Sequence, residues 1–285
     1  ANYDDIKTTM NNLLDRLLSY QHKASNGYAA IDQGYWCYYS GYAACNDSST
    51  TQFAAAGLNA ARIFYQSVKS GDQPYADPTR LANANAALSL ARTAYELNAK
   101  QGSDYGATVG GNCQVLNATE RGHGYNAPSY MPSLAQTASG IYIQLFGGAT
   151  INTPMVQNYM QWLRHRDRYT NLGSLGNGWE GYTWSYYMWS SFKAMEIMRL
   201  STTSASPGNL KPSDLGTLPA ASAPGCTERQ VNKDPALVTQ PAAFGGGGAG
   251  TYSGEQIGQY FDYAHQILSI QCPSGDFTCN GAPSA

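Results

Sequence analysis

The sequence predicts an all-α fold built from recurring helical hairpins, and three observations carry that prediction. Apolar residues recur at helical spacing in one segment after another. The segments alternate between two kinds, one wet on one face and one lined with small or apolar residues nearly all round. Loops rich in Gly and aromatic residues separate them in a repeating order, and a two-helix unit of this sort cannot bury both of its faces alone. Such units stack into a solenoid or close into a ring.

The elements follow in order. Residues 11–20 place Leu13, Leu14, Leu17 and Leu18 on one stripe, with Asp15 and Arg16 on the other side, which predicts an outer helix. A Gly/Tyr-rich loop follows, and Asp47-Ser48-Ser49-Thr50 supplies N-cap candidates for an inner helix from Thr51 to about Val68, whose small residues allow close helix approach. Gly71, Pro74 and Pro78 mark a loop before a third helix from Arg80 to Lys100, rich in Ala, Leu and Asn. The glycine-rich stretch from Gln101 to Pro132 predicts a long loop tied down at Cys113. An inner helix over Pro132 to Phe146 then ends at Gly147-Gly148, a C-cap signal.

The helix predicted from Pro154 to Arg168 carries Val156, Tyr159, Met160 and Leu163 at i, i+3, i+4 and i+7, the pattern of an outer helix. The next, Tyr182 to Leu200, is apolar nearly all round and needs cover on most sides. From residue 201 to 254 the composition turns to Pro, Gly, Ser, Ala and Thr, the mark of a wrapping segment or linker held at Cys226. An amphipathic outer-type helix from Glu255 to Gln271 and a polar tail complete the chain, which makes about seven helices in all. The expected organisation is therefore a repeat region over 1–200, with hairpins 11–68, 80–146 and 154–200, the linker 201–254, and a C-terminal helix with a disulfide loop over 255–285.

Composition narrows the function classes. Charged residues make up 13% of the chain, about half of the roughly 25% usual in soluble proteins, while Gly, Tyr, Asn, Ser and Thr supply a neutral, hydroxyl-rich surface. A formal net charge of −2 offers no electrostatic reason to expect nucleic acid or an anionic membrane as partner. No apolar run approaches the about 20 residues of a membrane span. The six cysteines favour disulfides: Cys37 with Cys45, Cys272 with Cys279, and by elimination Cys113 with Cys226. No Cys-x-x-Cys occurs and none of the four histidines (His22, His123, His165, His265) stands at zinc-motif spacing from a cysteine, so no metal or other cofactor is expected. A chain that begins at Ala1 and carries these cysteines reads as a mature exported protein, extracellular, at a cell surface or periplasmic. Asn46 and Asn117 head sequons and are glycosylation acceptors in a host with that machinery.

At this point the residues resemble the squalene cyclase and prenyltransferase repeat family. Leu17-Leu18-Ser19-Tyr20-Gln21 and Ile267-Leu268-Ser269-Ile270-Gln271 are each followed by a Gly/aromatic loop, and Gln271-x-x-x-Gly275-x-Phe277 is similar to that family's Gln-x-x-x-Gly-x-Trp motif with Phe in place of Trp. Asp47 to Gln52 resembles the start of its inner helices, and Gly122-His123-Gly124-Tyr125 and Gly178-Trp179-Glu180-Gly181-Tyr182 resemble its pre-helix loops. The resemblance implies an α/α toroid of inner and outer helices. It does not extend to chemistry, because the Asp-x-Asp-Asp motif of the protonating cyclases is missing.

Candidate site residues each carry two readings. Asp47 is either a carboxylate facing a central cavity or an N-cap. His123, in a Gly-rich loop, is a general base or a hydrogen-bonded loop histidine. Glu180, between glycines and beside Trp179, is a buried acid or a helix N-terminal charge. Trp179, Tyr182 and Trp184 line a cavity for an apolar or glycan ligand, or pack between helices. Tyr35, Trp36, Tyr38 and Tyr39, in a disulfide-closed loop, and Tyr125 are expected as a contact surface. The sequence thus points first to an exported, non-catalytic α/α-toroid-like binding or structural module that self-associates through its aromatic loops or C-terminal helix. Second, it points to an enzyme with an aromatic-lined cavity, terpenoid cyclase-like or glycan-cleaving.

Overall fold

A computed structural model describes residues 3–38, 45–67, 75–101, 119–126 and 132–166, together with Tyr186, residues 189–194, Ile197 and Ser274. Within them the chain is mostly helical: α1 (Tyr3–Tyr20), α2 (Ser48–Gln66), α3 (Pro78–Asn98), α4 (Leu134–Phe146) and α5 (Pro154–Arg166). Residues 189–194 are helical too, inside the span predicted for Tyr182 to Leu200. Two short strands depart from the all-α expectation. β1 (Lys100–Gln101) pairs antiparallel with β2 (Arg121–Gly122), joining the start of what the sequence reads as one long loop, Gln101 to Pro132, to a later part of it. The helix predicted for Glu255 to Gln271 and the linker before it lie outside the described residues.

The chain divides into two compact units, the first comprising 1–99, 124–130 and 143–149, the second 100–123, 131–142 and 150–285. In the first unit α2 packs chiefly on α3, with α1 against both. The α3 face is nearly all alanine, with Ala84, Ala87, Ala91 and Ala94 buried beside Leu88 and Tyr95, and α2 answers with Ala54, Ala55, Leu58, Ala61 and Tyr65. Small side chains let two helix backbones approach closely and leave room for the few large rings. Asp77 caps α3 by accepting from the Arg80 N–H at 3.0 Å, and Pro78 occupies the first turn, where no backbone donor is needed.

Helix α1 is the weakly covered member. Of its 18 residues Leu14 alone is buried; Leu17 and Leu18 are half-buried and Leu13 is exposed, so the expected four-leucine stripe is covered along one edge. Between α1 and α2 the chain folds back through Gly34, whose φ of +93° and position suit glycine alone, because a Cβ there would stand 2.5 Å from the Leu90 carbonyl oxygen.

In the second unit the predicted stripe of α5 is the buried one: Val156, Tyr159, Met160 and Leu163 are all covered, with Trp162 beside them. Gly140 of α4 lies under the Tyr159 ring, where a Cβ would come within 3.0 Å of it, so glycine here sets the approach of α4 to α5. Side chains from Ala135 to Tyr142 are buried throughout. α4 begins at Leu134 rather than Pro132, with Ser133 capping it, its Oγ accepting from the Gln136 N–H at 3.2 Å.

Candidate functional site

The densest polar constellation among the described residues of the first unit is built on the start of α2. Asp47 has extended backbone and caps the helix: its Oδ1 accepts from the Thr50 N–H at 2.8 Å, from Thr50 Oγ1 at 2.9 Å and from Ser49 Oγ at 2.6 Å. Ser49 spends its proton on the carboxylate, so in its 2.9 Å contact with Tyr38 the tyrosine hydroxyl is the donor. The Tyr125 hydroxyl bonds within the same cluster to Asp47, Ser49 and Tyr38; burial first, then Asp47, push its pKa well above the ordinary tyrosine value. One carboxylate therefore gathers Tyr125, Ser49 and Thr50, and Tyr38 joins through Ser49 and Tyr125.

Backbone bonds fix this cluster from both sides. The Ser48 N–H donates to the Tyr125 carbonyl at 3.0 Å, Ser48 Oγ donates to the same carbonyl at 2.8 Å, and Asp47 bridges antiparallel to Asn126. Thr51 Oγ1 receives the Trp36 N–H at 3.0 Å and itself donates to the Asp47 carbonyl at 2.6 Å. The arrangement clasps the loop before α2 and the 124–126 segment onto one helix end. With Oδ1 already accepting three donors, capping is what the geometry of Asp47 shows.

Tyr35 and Trp36 correct the expectation of a contact surface. Both are core residues, 0% and 3% exposed. Tyr35 stacks near Tyr95 with centroids 5.7 Å apart and donates its hydroxyl to the Ala94 carbonyl at 3.3 Å, while Trp36 Nε1 donates to the Leu17 carbonyl at 2.8 Å. Each ring is buried with its polar end bonded to a helix carbonyl, which lets an aromatic loop serve as core. Tyr38, 64% exposed, faces solvent.

Cys37 and Cys45 are joined as expected, closing the loop that leads into Asp47. Asn46 is 3% exposed and its amide donates to Asp32 Oδ1 at 2.8 Å, which takes this sequon out of reach in the folded chain. Next to the disulfide stands His22, which the sequence reading passed over. It is 3% exposed, its ring stacks on Tyr28 at 3.9 Å, and its Nε2 lies 3.2 Å from Cys37 Sγ. Desolvation lowers its pKa, partly opposed by the carbonyl and charge of Asp32.

In the second unit His123 follows β2 and is fully buried; its N–H donates to Thr137 Oγ1 at 3.0 Å and its carbonyl accepts from the Ser133 N–H at 3.0 Å. Backbone ties hold it at the start of α4, as the loop reading expects. Glu120, three residues earlier, is likewise buried, a carboxylate no sequence pattern singled out. Tyr39, Glu180, Trp179, Tyr182, Trp184, Asn117, Cys113, Cys226, Cys272 and Cys279 lie outside the described residues.

Among the described residues no cluster of three or more His, Cys, Asp or Glu is placed to hold a metal ion, and no helix is long and apolar enough to cross a membrane. What the described residues define is a mostly helical protein with a disulfide-closed aromatic loop clasped to a helix start. No protein-family model matches the chain, and neither does any curated protein or solved structure.

Proposed function

We propose that the protein is an exported, non-catalytic assembly module of repeating, toroid-like helical hairpins that self-associates through α1. The observation that carries this reading is a seam of six apolar residues on that helix: Tyr3, Ile6, Met10, Leu13, Leu17 and Tyr20. Their spacing alternates three and four, the repeat that lets one helix pack along another. Tyr3, Ile6, Leu13 and Tyr20 are 37%, 37%, 53% and 47% exposed, and Met10 and Leu17 are half-buried, so the seam lies open beside the edge that Leu14 covers.

The occupant that fits best is a second copy of the same helix. A two-fold interface must be self-complementary, and this seam reads nearly the same in both directions. Antiparallel pairing sets Tyr3 opposite Tyr20, Ile6 opposite Leu17 and Met10 opposite Leu13, matching like-sized residues at every level. It also sets helix ends of opposite partial charge side by side. The apolar surface continues onto α2. A Cβ on Gly57 would come 3.3 Å from Leu17 Cδ1, and Phe53, Ala60 and Ile63 lie exposed along the neighbouring face of α2 with no charge among them. Exposed apolar residues grouped on one face in this way mark an interaction site.

The candidate chemistry supports the non-catalytic half. Asp47 is occupied as a cap and His123 is buried with both backbone groups bonded. Light scattering and sedimentation over a wide concentration range test the proposal on wild type and Leu13→Glu. Wild type is expected to form dimers. The variant should dissociate at least about a hundredfold more easily, because two copies of a leucine each lose about 1.5–3 kcal/mol of burial. A wild type that stays monomeric at every concentration removes the assembly reading; a variant that dimerises like wild type removes α1 as the interface.

A further inference from the structure

We propose that Cys37–Cys45 is a thiol–disulfide exchange site in which His22 activates Cys37. The imidazole serves one sulfur of the pair: Nε2 stands 3.2 Å from Cys37 Sγ. Its other nitrogen, Nδ1, lies 3.2 Å from the Asp32 carbonyl oxygen, which can only accept, so the neutral ring carries its proton on Nδ1 and turns the Nε2 lone pair to the sulfur. The ring is held there. It stacks on Tyr28 with planes 6° apart, and the His22 backbone bonds to Tyr35 and Gly34 on the strand-like approach to Cys37. A disulfide that served as a staple alone would have no use for a buried base oriented on one of its two sulfurs.

The surroundings suit exchange. Both cysteines are half-buried, so a thiol can reach them. Asp32 is the charged group beside the ring, and its carboxylate is already engaged by the Asn46 amide at 2.8 Å. Lys23, next in sequence to His22, directs its ammonium to the Leu18 carbonyl at 2.6 Å instead of to the sulfur. The imidazole is therefore the group poised to take or give a proton at Cys37.

The co-reactant is a dithiol. Its first thiolate attacks Cys45 Sγ, forming a mixed disulfide as the Cys37–Cys45 bond breaks, and the electron pair leaves on Cys37 Sγ. The proton lost by the attacking thiol ends on His22 Nε2, so Cys37 departs as a thiolate facing an imidazolium. The second thiol of the dithiol then attacks the sulfur bound to Cys45. Cys45 is released and takes that thiol's proton, the dithiol becomes a disulfide, and two electrons and two protons have passed to the protein. In reverse, the Cys37 thiolate of the reduced protein is the nucleophile toward an external disulfide.

The test is alkylation of the full-length protein. The protein is equilibrated with dithiothreitol, pulsed with iodoacetamide across a range of pH, digested, and each cysteine quantified by mass spectrometry. Cys37 is expected to react with a midpoint at least about one pH unit below the ordinary thiol value near 8.5, and ahead of Cys45. His22→Gln should bring that midpoint back to the ordinary value and slow reduction by about tenfold. A wild-type Cys37 midpoint at or above the ordinary value overturns the proposal, whether or not the variant folds. So does an unchanged midpoint in a folded His22→Gln protein.

Discussion

Replacing Asp47 separates the two roles a carboxylate at a helix start can play. In Asp47→Ala the Thr50 N–H loses its cap, which costs about 0.5–2 kcal/mol. The hydroxyls of Ser49 and Tyr125 lose the carboxylate they share, and with Ser49 able to turn to Tyr38, one buried donor is left short of an acceptor, which adds about 1–3 kcal/mol. Thr50 is half-buried and can turn to water, so it adds little. The expected destabilisation is about 2–4 kcal/mol. Asp47→Asn keeps an oxygen acceptor and is an equally good cap, so it should lose less than half as much. Urea denaturation followed by far-ultraviolet circular dichroism measures both, as a change in midpoint at constant slope. An Ala variant within about 0.5 kcal/mol of wild type would refute the clasp. An Asn variant as damaged as Ala would refute it equally, because charge rather than hydrogen-bond geometry would then be the property that matters.

Two further variants probe backbone and titration. Gly34→Ala combines a left-handed φ of +93° with a Cβ 2.5 Å from the Leu90 carbonyl oxygen and 2.8 Å from the Ala94 Cβ, whereas Gly27, at φ +85°, has nothing within 4 Å of its built Cβ. Thermal melts should show Gly27→Ala losing about 1–2 kcal/mol and Gly34→Ala losing about 1–3 kcal/mol more, and equal losses would mean the close approach is absent. The Tyr125 pKa is raised by burial, so the folded state favours the protonated phenol. Its contribution to stability is fully present below the ordinary tyrosine value of about 10 and is lost as pH rises through the higher folded value. Tyr125→Phe should be less stable than wild type at neutral pH yet lose stability more slowly above about pH 10, as stability curves against pH would show.

How much of this was legible in the sequence depends on which force decides each feature. The stripe of α5 was readable because four apolar residues at helical spacing bury the same way in any helix pair. The start of α3 was equally available, in Asp77 followed by Pro78, but Pro78 was read with Gly71 and Pro74 as part of the loop, which placed the start at Arg80. The clasp was half legible: Asp47-Ser48-Ser49-Thr50 announces a cap, while Tyr38 and Tyr125 reach it from distant parts of the chain that no local pattern links. Pairing of β1 with β2 was hidden for the same reason, since each strand is two residues long and neither has an alternation to read.

Tyr35 and Trp36 were misread because a disulfide-closed loop was taken to lie on the surface. In a chain with 13% charged residues, polar side chains also act as internal ties. Tyr65 donates to Asn11 at 2.8 Å, Tyr95 to the Ser48 carbonyl at 3.1 Å, Gln21 to the Ala87 carbonyl at 2.8 Å and Asn98 to the Ile31 carbonyl at 2.9 Å. Each joins segments distant in sequence, and each replaces a bond to water that burial removes. Aromatic loops can then enter the core with their polar ends satisfied, while Ile6, Leu13 and Tyr20 of α1 stay exposed. Lys7 and Arg16 flank the α1 seam, so association through it should strengthen as added salt screens them, and it is the property to measure first.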